Sequence, residues 1–145
     1  MSISLIIPTY RNPKYLDLCL KSATENKVLN DSEIIVVVDG YIEESAVVLE
    51  KYPGTVVLEL EENQGMQYAL NAGVSQAINP LVFIVNDDNV FPREWDRRVV
   101  SDWDSIRTKR QKAMLTVNQV EPTGPGMFNF HVKDFGKTVE EFQYD

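Results

Sequence analysis

The sequence predicts a three-layer α/β/α domain built on a mostly parallel central sheet. Three observations carry that expectation. Short apolar runs without polar alternation recur, as in strands covered on both faces. Stripes of apolar residues at helical spacing separate them. The alternation runs from residue 2 to residue 117 with no internal repeat, low-complexity segment or interior linker, which is the pattern of right-handed βαβ units.

Each element has a local cause. Residues 2–7 read as a first strand. Asn12-Pro13 supplies a helix cap followed by proline at the first helical position, and Leu16, Cys19, Leu20 and Ala23 form the stripe behind it. Residues 33–38 are rich in β-branched side chains and end at Asp39-Gly40, a second strand. A helix over 43–51 follows and closes at Pro53-Gly54. Residues 55–59 form a third strand, and Asn63-Gln64-Gly65 a loop. Met66, Ala69, Leu70, Gly73, Val74 and Ala77 mark one apolar side of the next helix, ended by Asn79-Pro80. Residues 81–85 are a fourth strand, expected to be buried on both faces. Pro92 is expected to start a helix with Trp95, Val99, Trp103 and Ile106 on one side, the tryptophans acting as core anchors. Residues 113–117 suggest a fifth strand, 121–126 a loop, and 138–142 a short helix.

The totals bound the class. The chain has 145 residues, 43% hydrophobic and 25% charged, which suits one soluble globular domain. No apolar span is long enough for a membrane helix, and the opening Met1-Ser2-Ile3-Ser4 lacks the basic segment of a signal peptide, so the cytoplasm is the expected compartment. Cys19 is the only cysteine, so no internal disulfide forms, and its place on the stripe suggests an inert core thiol. A net charge of -8 argues against nucleic-acid partners. Seven of the 14 basic residues lie between Arg93 and Lys112. A solvated helix face is the simpler account, and an anionic acceptor or peripheral membrane contact the weaker one.

The most informative stretch is Phe83-Ile84-Val85-Asn86-Asp87-Asp88-Asn89. Two adjacent carboxylates follow an apolar strand, at the end where open α/β sheets place their chemistry. Side by side they repel, and one would take up a proton unless a cation relieved them. Hard oxygen ligands suit Mg2+ or Mn2+, which would in turn hold phosphate oxygens. Asn and Asp also gather in turns for structural reasons, so the stretch alone leaves both accounts open. Neither common glycine-rich phosphate loop is present. The turn after the first strand is Pro8-Thr9-Tyr10-Arg11-Asn12 instead, offering an aromatic face, a hydroxyl and a guanidinium.

Four pieces in register resemble the family-two glycosyltransferases with the GT-A, Rossmann-like fold for nucleotide-diphospho-sugars. Leu5-Ile6-Ile7-Pro8-Thr9-Tyr10 resembles the opening strand and turn. Residues 33–40 resemble the second strand with its Asp-Gly. Asn63-Gln64-Gly65 followed by Ala69-Leu70-Asn71-Ala72-Gly73 resembles the Asn-x-Gly loop and its helix. Phe83 to Pro92 resembles the Asp-x-Asp region. The match covers about the first 95 residues. It implies a single domain over 1–145, with 1–95 the donor-binding half and 96–145 a partial acceptor side.

The resemblance implies metal-dependent transfer of a sugar from a nucleoside-diphosphate donor, with UDP the expected nucleotide, to a carbohydrate or other hydroxyl acceptor, with inversion. By resemblance Pro8, Thr9 and Tyr10 line the base and ribose pocket, Asp39 bonds the nucleobase, and Asn63 and Gly65 shape the floor. Asn86 hydrogen-bonds a ribose hydroxyl, Asp87 faces the ribose or a metal-bound water, and Asp88 ligates the Mn2+ or Mg2+ ion. Two departures stand out. The first acid of Asp-x-Asp is Asn86. The acceptor half, which carries the general base, normally continues well beyond this length, so a truncated or minimal form is expected. Asp134, Glu140 and Glu141 are the only acids offered for the base, and His131 is a possible further metal ligand. Arg11 stands where the family usually has asparagine; it could reach a phosphate, but an exposed loop arginine is the simpler account. The alternatives are a donor-binding domain lacking full activity, a nucleotidyltransferase of related fold, and a receiver-like signalling module. The oligomeric state is not legible.

Overall fold

The computed structural model describes residues 1–108 and 114–115, together with the backbone pairing of residues 120–121 with 131–132. The chain divides into two compact units, Met1–Val100 and Ser101–Asp145.

The first unit is a parallel four-stranded sheet with helices between its strands. In chain order the elements are β1 (Ile3–Thr9), α1 (Pro13–Glu25), β2 (Glu33–Asp39), α2 (Ile42–Leu49), β3 (Val56–Leu60), α3 (Met66–Gln76) and β4 (Leu81–Ile84). The strand order is β3-β2-β1-β4, every pair parallel. The chain winds outward from β1 to β3, then doubles back to lay β4 on the other side of β1. With right-handed crossovers that reversal puts α3 on the opposite face from α1 and α2. It also makes the C-terminal ends of β1 and β4 the topological switch point, where the loops diverge and leave a crevice.

Burial follows this order. All seven residues of β1 and six of the seven in β2 are buried. Ile6, Ile35, Val37 and Ala69 form a core cluster between the sheet and α3. On α1 the expected stripe, Leu16, Cys19, Leu20 and Ala23, is fully buried. Gly73 explains how closely α3 sits: a Cβ there would lie 2.6 Å from Ile6 Cγ2 and 2.9 Å from Val37 Cγ2. Met66 and Val74, placed on the same apolar stripe by spacing, are exposed instead. The core under α3 is narrow, and they fall at its margins.

Two further expectations are corrected. The fourth strand forms at Leu81–Ile84, but β4 is the outermost strand on its side of the described sheet, and only Leu81 is buried while Ile84 is 47% exposed. The apolar run signalled a strand correctly; burial on both faces belongs to β1 and β2. Pro92 does not begin the helix: α4 (Trp95–Arg107) starts after a turn at 93–94. Asp96 in its first turn is fully buried, accepting N–H bonds from Val28, Leu29 (2.6 Å) and Arg97. Trp95 is a core anchor as expected, 2% exposed, its Nε1–H on the Ala23 carbonyl.

Of the second unit, the strand expected at 113–117 has only Met114 and Leu115 among the described residues, and neither is in a strand. Two short strands, β5 (Val120–Glu121) and β6 (His131–Val132), pair in parallel. The helix expected at 138–142 lies outside the described residues. Among the described residues no helix is long and apolar enough to cross a membrane.

Candidate functional site

The C-terminal ends of β1, β2 and β4 open onto a cleft of about 500 Å³. Three loops line it. The first supplies Pro8 through Asn12, the second Asn63, Gly65 and Met66, and the third Asn86, Asp87 and Asp88, with Asp39 at the end of β2. Every residue singled out from the sequence as donor-binding, and the acid assigned to the metal, is therefore on one wall or another of the same cleft.

The acidic turn is held from two directions. Thr9 Oγ1–H donates to Asp87 Oδ2 at 2.6 Å, and Asn12 Nδ2–H to Asp87 Oδ1 at 3.0 Å. Asn12 flanks α1 as its cap residue but makes no side-chain cap bond, because its amide is turned to Asp87. From behind, α1 fixes the chain beyond β4 along its length. Phe91 N–H donates to Ser22 Oγ, Asn26 Nδ2–H to the Phe91 carbonyl, and Glu94 N–H to the Asn26 carbonyl. Phe83, Phe91 and Trp95 pack together beneath, with the Phe91 and Trp95 rings 4.8 Å apart.

This arrangement separates the two carboxylates. Asp87 is half-buried with both oxygens occupied, and that burial, with the neighbouring Asp88 charge, holds its carboxyl above the ordinary range; the Thr9 and Asn12 bonds oppose the shift without cancelling it. Asp88 is exposed in the cleft, and no hydrogen bond or ion pair engages it among the described residues. Cys19 lies below the turn, its Sγ 3.9 Å from the Asn86 carbonyl oxygen. Burial first, and the two aspartates second, push its thiol pKa up, so it remains protonated and inert.

Asp39 is 4% exposed and holds the second loop. Gln64 N–H donates to its Oδ1 (2.7 Å) and Gly65 N–H to its Oδ2 (2.9 Å). Gly40 lets the loop approach: at φ +81° a Cβ would lie 2.9 Å from the Asn63 nitrogen. Gly65, at φ +87°, precedes α3.

Beside the first loop lies a cluster that spacing did not reveal. Arg11 and Tyr41 both take left-handed backbone conformations, φ 52° and 59°. The Arg11 guanidinium lies 4.8 Å from the centre of the Tyr41 ring, and its Nε is 2.9 Å from Glu44 Oε1. Tyr10 meets the Tyr41 ring edge to face at 5.9 Å. Asn12 as an Asp87 ligand and Tyr41 as a neighbour of Tyr10 had no local signal, since both rest on contacts between distant loops.

The donor set admits a divalent cation in one arrangement. Among the described residues no three His, Cys, Asp or Glu side chains converge. A single exposed carboxylate, Asp88, suits a hard ion only when substrate oxygens complete its shell. His131 opens β6, and its side chain lies outside those described; Asp134, Glu140 and Glu141 lie outside the described residues altogether.

Comparison with known proteins agrees with this geometry. Residues 4–109 match the family Glycosyl transferase family 2. The putative glycosyltransferase EpsH of Bacillus subtilis (strain 168) is 30% identical over 95 residues, 63% of this chain and 27% of its own length. The amylovoran biosynthesis glycosyltransferase AmsE of Erwinia amylovora is 30% identical over 103 residues, 66% of this chain and 38% of its own. The crystal structure of S. aureus TarS 1-349 in complex with UDP-GlcNAc matches with a TM-score of 0.62 and 25% identity, covering 77% of this chain and 32% of that one. The chain spans well under half the length of the curated relatives it matches.

Proposed function

The chain belongs to glycosyl transferase family 2, and from that premise we propose that it binds a nucleoside-diphosphate sugar in the cleft and transfers the sugar, with inversion, to an acceptor hydroxyl. The observation that carries this reading is the convergence of three loops on one cleft that leaves a single lining carboxylate, Asp88, without a partner among the described residues. TarS, with UDP-GlcNAc bound, is similar over 77% of the chain, which supports a UDP-sugar as the donor.

Charge supports the need for a metal. The lining residues include Asp39, Asp87 and Asp88 against one cation, Arg11, whose guanidinium is turned to Glu44 and Tyr41. A diphosphate entering that field is repelled unless a divalent ion accompanies it. Asp88 would hold the ion, and when bound the ion would supply Lewis-acid stabilisation of the departing diphosphate.

The chain's own residues then have separable tasks. Thr9 and Asn12 hold Asp87 and so fix the turn from which Asp88 projects. Tyr10 offers its ring to the base, and Thr9 and Pro8 form the wall beside it. Asp39 fixes the Asn63-Gln64-Gly65 backbone as the floor; with both oxygens already accepting N–H bonds, it meets the nucleobase only through a remaining lone pair. Asn86 can donate its amide to a ribose hydroxyl. Direct displacement needs a group to deprotonate the acceptor, for which Asp134, Glu140 and Glu141 in the proposed acceptor half, 96–145, are the acids to test.

The test is a thermal shift with UDP and manganese, alone and together, followed by donor hydrolysis across a panel of nucleotide sugars. Stabilisation that needs both ligands, with hydrolysis of one donor, is the expected result. Binding without turnover reassigns the chain as a donor-binding module. No response to any nucleotide overturns the reading.

A further inference from the structure

We propose that Tyr41 is a positioning residue for the nucleobase, acting through Tyr10; this rests on the donor-site reading above. Tyr41 is a poor choice for its backbone. It follows Gly40, also at positive φ, and a bulky residue in the left-handed region is strained. It occupies the cap position of α2 yet makes no side-chain cap bond. Asparagine would tolerate the same φ and could cap the helix. Neither local conformation nor capping accounts for a tyrosine there.

The ring's contacts do account for it. One meets Tyr10 at 5.9 Å with the planes 69° apart; the other receives the Arg11 guanidinium at 4.8 Å, itself tied to Glu44. Tyr10 lines the cleft and is 46% exposed, whereas Tyr41 is not among the lining residues. An exposed loop tyrosine samples several rotamers, and a base that stacks on it must first immobilise it. Tyr41, clasped by a strained arginine from the neighbouring loop, removes that freedom in advance. The device selects for the planar part of the ligand and leaves the diphosphate untouched.

The test is calorimetric titration of the whole chain with UDP plus Mn2+, and separately with inorganic pyrophosphate plus Mn2+, for wild type, Tyr41→Asn and Tyr41→Phe. Tyr41→Asn should weaken UDP by about tenfold, part of what a base–aromatic stack contributes, with pyrophosphate affinity and melting temperature undiminished. Tyr41→Phe, which keeps the ring, should bind UDP like wild type. Unchanged UDP affinity in Tyr41→Asn, or an equal loss for both ligands, overturns the proposal while the donor-site reading stands. A wild-type chain that binds neither ligand overturns both.

Discussion

The two ends of one sheet are built from similar polar residues and behave differently. At the N-terminal ends of the strands, Ser4 Oγ–H donates to Glu33, Ile78 N–H donates to Glu33 Oε1 (2.9 Å), and Asn79 N–H donates to Ser4 Oγ (3.1 Å). Asn79 Nδ2 reaches the carbonyls of Ile3 and Asp31. That cluster is closed on itself and ties β1, β2 and the lead into β4 together. At the C-terminal ends, Thr9, Asn12 and Asp87 form a comparable knot, yet beside it stand a carboxylate that no described residue engages and two strained non-glycine residues. Polar residues at a strand end are therefore not a functional signal by themselves. The signal is an ionisable group left over once its neighbours have found partners.

Four substitutions probe that contrast. Asp88→Ala should have the largest effect, reducing manganese-dependent UDP binding by about a hundredfold or more while the melting temperature holds, because no described residue bonds to that side chain; calorimetry reads both. Asn79→Ala should do the reverse. It leaves the Ile3 and Asp31 carbonyls short of a donor and should cost about 2 kcal/mol in urea unfolding, with UDP affinity intact. If it weakened binding as much as folding, the two ends would not be independent.

Asn12→Ala sharpens the distinction within the cleft. Its amide supports Asp87 and does not cap α1, so it should lower metal-dependent affinity by roughly tenfold and barely change stability. A large fall in melting temperature with unchanged affinity would make it a helix residue after all.

Asp17 gives the smallest effect and a check outside the cleft lining. Burial alone would raise its carboxyl, but the hydrogen bonds from Lys51 and Tyr52 outweigh that and hold it below its ordinary value. A carboxylate depressed on folding contributes stability above its unfolded pKa and loses it as pH falls through the folded one. Asp17→Asn should therefore cost less than about 1 kcal/mol at neutral pH, the pair being partly exposed. The difference from wild type should vanish in acid; a gap that widened in acid would reverse the sign.

Much of this was legible in the sequence because it is local. Apolar runs announced β1 and β2, Asn12-Pro13 and the Leu16–Cys19–Leu20–Ala23 spacing announced α1, and the order of four motifs brought the cleft residues together correctly. What was not legible depends on distant partners. Asn12 is a cap by its neighbours and a ligand of Asp87 only because β4 lies beside β1. Pro92 looked like a helix start, but Glu94 N–H is drawn to the Asn26 carbonyl and the helix waits until Trp95. Asp96 carries no local sign of burial, yet it is sealed beneath three backbone amides. The outer position of β4 follows from strand order, which no single run encodes.

The missing side chain at Gly73 reaches further than the packing it permits. With α3 seated on Ile6 and Val37 at backbone distance, and Asp39 gripping Gln64 and Gly65 just ahead of it, the second loop is anchored fore and aft. That side of the cleft is a fixed jaw. The opening that would admit the proposed nucleotide then falls to the opposite jaw or to side-chain rotation, and a single methyl at position 73 would shift the anchored jaw from outside the cleft.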